Sequence, residues 1–105
     1  MKPGRFLRRM PARGAPVILQ AVPLVIVQPE IPRHLRQQAM RAEFHALFTV
    51  HIDGSADVSA VKSTGNSELD DLALQAARQW RFHPATRNGQ FVESYLRLQI
   101  EFKVV

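Results

Sequence analysis

The 105-residue sequence predicts an α+β layer sandwich. In it, two helices cover one face of a small antiparallel sheet of about three strands, in the order helix, strand, strand, helix, strand. Three observations lead there. Apolar and polar residues alternate over 44–52 and again over 92–104, the period of strands with one buried face. Between them a stripe of apolar residues at helical spacing follows a turn-forming cluster at 63–67. Pro32 heads another stretch with helical spacing. The length suffices for one domain that buries roughly 65% of its extended-chain surface, which excludes a large two-domain enzyme.

The elements follow in order. Residues 15–28, APVILQAVPLVIVQ, form the most apolar run, but Gln20 and Pro23 interrupt it and it falls short of the ~20 residues that a membrane helix needs. It reads as extended chain or an edge strand, where Pro is tolerated. The first helix is expected over about 32–41, with Ile31, Leu35, Ala39 and Ala42 on one face. Phe44, Ala46, Phe48, Val50 and Ile52 form the buried face of the first strand, opposite His45, Thr49 and His51. Asp53-Gly54 turns the chain, and Ala56 to Lys62 returns as a second strand whose broken alternation at Val58 and Val61 leaves room for a bulge.

Asn66 or Ser67 caps the second helix, whose apolar stripe is Leu69, Leu72, Ala73, Ala76 and Trp80. Glu68, Asp70 and Asp71 lie at its positive N-terminal end, and Arg78 and Arg81 at its negative C-terminal end. Pro84 forbids further helix, and Asn88-Gly89 turns the chain into a long last strand. In that strand Val92, Leu96, Leu98, Ile100, Phe102 and Val104 face inward, and Glu93, Tyr95, Arg97, Gln99, Glu101 and Lys103 face water.

Charge is distributed unevenly. Residues 1–13 carry Lys2, Arg5, Arg8, Arg9 and Arg13 with no acid, whereas the remainder has nine basic and nine acidic residues. Residues 1–27 therefore read as a basic, flexible leader and 28–105 as the domain, whose neutral balance argues against a nucleic-acid face. A basic leader before an apolar run also resembles a secretory signal, but Pro29-Glu30-Ile31-Pro32 stands where a small-x-small cleavage site would be. With no Cys there are no disulfides or thiolate metal sites, and the redox compartment stays open.

Catalytic patterns are missing from the sequence. His45 and His51 share a strand face but lie about 20 Å apart at strand rise, too far for one ion, and His34 and His83 have no partner at ligand spacing. No nucleophile elbow or Gly-rich phosphate loop occurs, and capping accounts for the carboxylates at the start of the second helix. The expectation is a non-enzymatic domain without metal or cofactor. What remains is a long terminal strand at a sheet edge, which a partner strand can extend. Trp80, Arg81, Phe82 and Pro84 read as the corner that aims this edge.

Several blocks then carry a resemblance. They are Gln28-Pro29-Glu30-Ile31-Pro32, Phe48-Thr49-Val50 before Asp53-Gly54, Ser63-Thr64-Gly65 before Leu69-Asp70, Ala76-Ala77-Arg78-Gln79-Trp80-Arg81-Phe82-His83-Pro84-Ala85, and Asn88-Gly89 ahead of a strand containing Phe102. Over about residues 28–104 the sequence resembles the C-terminal domain of TonB-family energy transducers.

The resemblance implies a periplasmic, inner-membrane-associated domain that couples inner-membrane motor proteins of the ExbB/ExbD type to TonB-dependent outer-membrane receptors. Proton-driven transport such as siderophore and iron uptake would follow. In that family the receptor's TonB box adds as a strand to the last strand. Carried onto this sequence, the pairing residues are Ser94, Tyr95, Leu96, Arg97, Leu98, Gln99, Ile100, Glu101 and Phe102, with Gln28, Pro29, Ile31 and Arg33 as a second contact. The family's N-terminal membrane helix and long Pro-rich linker have no counterpart in this sequence, and Ile31 stands where an aromatic usually precedes Pro. The alternative is a structural domain that pairs the same edge with its own copy as a homodimer, or docks its basic tail on an anionic surface.

Overall fold

The computed structural model describes residues 14–37 and 40–104; the basic residues of the leader and Ala39 lie outside them. The described chain runs β1 (Ile18–Leu19), β2 (Val22–Val25), a 3-10 turn (Arg33–Leu35), β3 (Met40–Val50), β4 (Ala56–Lys62), α1 (Ser67–Ala77), β5 (Arg81–His83), β6 (Ala85–Arg87), β7 (Gln90–Val92) and β8 (Ser94–Val104). One α-helix and eight strands in three sheets replace the expected two helices on a single sheet.

The first expected helix is the main correction. Among the described residues of 32–41 only Arg33–Leu35 turns, as one 3-10 turn closed by Leu35 N–H to Pro32 O at 3.0 Å, and Met40 already begins β3. Met40, Arg41, Ala42 and Glu43 all tolerate a helix locally, but each pairs with β8, from Met40↔Val104 to Glu43↔Glu101. Tertiary pairing outweighs propensities of a few tenths of a kcal/mol per residue.

The main sheet has the order β4-β3-β8, all antiparallel. On β3, Phe44, Ala46, Phe48 and Val50 are fully buried, whereas Ile52, expected on that face, is 60% exposed because the strand has ended and the chain is turning. The register passes from Ala46↔Ala60 to His45↔Lys62, so Val61 is the extra residue of a bulge in β4. Leu69, Ala73 and Ala77 of α1 join the phenylalanines in one core. The small alanines let the helix lie close on the aromatic face. The cap is Asn66, whose side chain accepts from the N–H groups of Glu68 at 2.9 Å and Leu69 at 3.2 Å.

The helix stops at Ala77, short of Trp80 and well before Pro84. Gln79 and Trp80 donate three residues back, to Ala76 and Ala77, which tightens the last turn. Phe82 then enters β5, paired with β2, while β6 lies between β1 and β7. Asn88 (φ 52°) and Gly89 (φ 82°) both take left-handed backbone in the two-residue turn joining Arg87 to Gln90. The expected single last strand is thus divided: β7 ends at Val92, β8 begins at Ser94, and Glu93 carries the chain from one sheet to another.

Gly54 forms the seam between the main sheet and β5. Its φ is +88°, its carbonyl accepts from Phe82 N–H at 2.9 Å, and a Cβ placed there would sit 2.6 Å from Phe82 O. Only glycine allows this approach.

Candidate functional site

The outer edge of β8 is the longest unpaired strand edge beside the core. Eleven residues of β8 pair with eleven of β3, from Val50↔Ser94 to Met40↔Val104, and among the described residues no strand lies on the other side. Side chains alternate as the period-two pattern requires. Tyr95, Arg97, Gln99, Glu101 and Lys103 are exposed, Ile100 and Phe102 are buried, and Leu96 and Leu98 are half-buried against the core. The inward set can offer a partner only its backbone, while the outward set can read side chains.

A cleft of about 320 Å³ opens beside this edge, lined by Ile26, Gln28, Pro29, Trp80, Gln99, Ile100 and Glu101. Trp80 holds its two walls together. Its indole Nε1 donates to Val27 O at 3.0 Å, fixing the segment before the 3-10 turn, and its ring stacks on Phe48 with centroids 5.1 Å apart at 27°. Phe82 adds an edge-on contact to Phe48 at 5.5 Å. Arg81 closes the corner by donating to Trp80 O at 2.9 Å and Arg78 O at 3.3 Å, carbonyls at the negative end of α1.

The cleft brings together Gln28 and Pro29 of the expected second contact with Gln99, Ile100 and Glu101 of the expected pairing strand. Ile31 and Arg33 lie outside it. Ile31 packs against the core, its carbonyl accepting from Arg36 Nε at 2.6 Å, and Arg33 is exposed on the 3-10 turn. Ser94, Tyr95, Leu96, Arg97, Leu98 and Phe102 lie along β8 beyond the cleft, and the Phe102 side chain, 1% exposed, is closed to any partner. Sequence reasoning missed two lining residues. Ile26 was hidden in an apolar run, and Trp80 read as purely architectural although one side of it faces the cleft.

Polar clusters elsewhere do structural work. His51 sits between Glu93 (Nδ1 to Oε2, 2.8 Å) and Asp57 (Nε2 to Oδ2, 3.0 Å), joining the end of β3, the start of β4 and the crossing before β8. The hydrogen bonds of Glu93 and then Asp57 raise its pKa above 6.5, since the imidazolium donates to both carboxylates. Among the described residues no hydroxyl or thiol side chain bonds to this imidazole. Asp70 accepts from the Ser63 hydroxyl, from Thr64 N–H at 2.8 Å and from Thr64 Oγ1 at 2.7 Å. Desolvation opposes ionisation there, but these bonds outweigh it and lower the pKa. Asp53, bonded by Ser55 Oγ and then Ser55 N–H, is lowered as well. Among the described residues no helix is long and apolar enough to cross a membrane.

Over residues 27–104 the chain matches the family described as Gram-negative bacterial TonB protein C-terminal. It is 32% identical to Protein TonB of Xanthomonas campestris pv. campestris (strain B100) over 75 residues, which cover 70% of this chain and 34% of that protein. Against Protein TonB of Vibrio cholerae serotype O1 the identity is 30% over 81 residues, 74% of this chain and 32% of that one. Against Protein tonB2 of Pseudomonas aeruginosa it is 33% over 61 residues, 55% and 23% of the respective chains. The chain thus spans about a third of the length of the first two of these relatives and less of the third.

Proposed function

Because the chain belongs to the Gram-negative bacterial TonB protein C-terminal family, a family of non-enzymatic energy transducers, we propose that it is the peptide-capturing domain of a periplasmic, inner-membrane-associated transducer. Its ligand is the extended TonB box of an outer-membrane receptor, added as a strand along β8. Motor proteins of the ExbB/ExbD type supply the proton-driven work, which the domain transmits as pull on the captured strand.

One observation carries this reading: the unpaired edge of β8 runs directly into the cleft that joins Gln99, Ile100 and Glu101 to Gln28 and Pro29. Main-chain pairing along the edge supplies affinity that depends little on sequence. Side-chain selectivity then comes from the outward row of Tyr95, Arg97, Gln99 and Glu101 and from the Trp80-floored cleft. A cleft of about 320 Å³ holds one or two side chains, enough to set the register of a strand that backbone bonds alone leave free to slip.

Titration of isotope-labelled protein with receptor TonB-box peptides tests the proposal. Amides of residues 94–102 and the Trp80 indole N–H are expected to shift, with Gln28 following. No movement of these signals at millimolar peptide sinks it. Sedimentation at several protein concentrations, run alongside, separates capture of a peptide from pairing of the same edge with a second copy.

A further inference from the structure

We propose that the small sheets formed by β1, β2, β5, β6 and β7 are a docking face for an anionic phospholipid bilayer. The starting observation is apolar surface where a folded domain normally presents polar groups. Leu19 is 63% exposed, Val22 54% and Phe91 53%. These residues form one patch. Leu19, Thr86 and Phe91 are direct cross-strand partners through β6, so they share a face. Val22 pairs with His83, whose ring lies edge-on against Phe91 with centroids 5.6 Å apart, and this contact joins the two rows. Val25, also exposed, extends the patch opposite Arg81.

Charge identifies the occupant. Residues 1–29 and 81–92 together contain seven of the chain's fourteen Lys and Arg and none of its nine acids. The rest of the chain carries seven cations against nine acids. The strands of the apolar face therefore carry no carboxylate, while Arg81 and Arg87 stand on them. Lys2, Arg5, Arg8, Arg9 and Arg13 immediately precede it in sequence; Arg13 is four residues from Val17, within about 14 Å at full extension. Exposed apolar side chains at the acyl boundary, with cations at the level of the headgroups and no acid to repel them, satisfy both terms of interfacial binding. A second copy of the chain would bring the same uncompensated cations against each other, so charge complementarity favours the bilayer.

The test uses the whole 105-residue chain in flotation with vesicles of phosphatidylcholine alone or with one quarter phosphatidylglycerol. The chain is expected to float with the anionic vesicles at low salt and not with the neutral ones. Arg5→Gln, Arg8→Gln and Arg9→Gln together should lower partitioning on the order of a hundredfold, at roughly fivefold per cation. Leu19→Ser, Val22→Ser and Phe91→Ser together should keep the far-ultraviolet circular dichroism and lower it at least about tenfold.

Because the chain has no Cys, an environment-sensitive dye can also be placed uniquely, on Leu19→Cys in the patch or on Asp57→Cys in the main sheet. Its emission should shift to the blue on anionic vesicles only at position 19. Failure to float, undiminished binding of the triple serine variant, or equal dye shifts at both positions overturns the proposal. So does concentration-dependent dimerisation that the serine variant abolishes while vesicle binding is absent, because the patch would then serve a second copy.

Discussion

The main sheet and the small sheets solve the problem of covering strands in different ways. In β4-β3-β8, Phe44, Ala46, Phe48 and Val50 of β3 are wholly buried and the outward face is mostly polar, with Tyr95 and Val61 its most exposed large apolar side chains. In β1, β2 and β5–β7, only Phe82 and Ala85 are buried deeply, and apolar side chains stand in the open. The first region with α1 supplies most of the single core; the second is too short-stranded to stand alone and reaches that core chiefly through Phe82, Ala85 and the linking Ala21. A region that keeps exposed apolar surface while excluding every acid is shaped by what it meets, whereas one with an ordinary wet face and an open edge is shaped by what it pairs with.

The attachments can be cut one at a time. Trp80→Ala has the largest expected effect, because the ring stacks on Phe48 of the main sheet while its N–H holds Val27 on the other side. A loss of about 3–5 kcal/mol is expected, read as a lower urea midpoint, and binding of a TonB-box peptide should weaken in the fraction still folded. Stability unchanged with binding lost would instead make Trp80 a contact residue only. Next comes Gly54→Ala, which puts a Cβ against Phe82 O at a positive φ. It should cost about 2 kcal/mol or more and raise hydrogen exchange in β5 before it does so in β3. Uniform loosening of both regions would show that the seam does not separate them.

The smallest effect concerns the main sheet alone. The pKa of His51 is raised in the folded protein, so its stabilisation is complete below about 6.5 and is lost as pH rises through the raised value. The melting temperature should therefore fall modestly above that point, and His51→Gln should flatten this part of the profile. A wild-type profile without that decline would mean that the Glu93 and Asp57 contacts do not favour the imidazolium.

Much of the main sheet was legible in advance. Alternation found the two long strands, the Asp53-Gly54 turn placed β4, Asn66 or Ser67 marked the helix cap, Asn88-Gly89 the tight turn, and Val58 with Val61 the region of the bulge. The first helix was misread because Ile31, Leu35, Ala39 and Ala42 carry helical spacing, and nothing near Met40 in the sequence reports that Val104 lies opposite it. The same blindness hid the cleft, whose walls come from residues some seventy positions apart. The apolar run at 15–28 was readable as extended chain or an edge strand, but not as two strands that pair with β5 and β6.

Period, caps, turns and the segregation of charge are local properties of the chain, because each depends on residues within a few positions of one another or on composition. Tertiary structure alone decided which strands meet, where Glu93 carries the chain between sheets, and that Trp80 joins a strand edge to the segment before the 3-10 turn. Those outcomes rest on pairings between distant segments, whose energies emerge only when the partners are brought together.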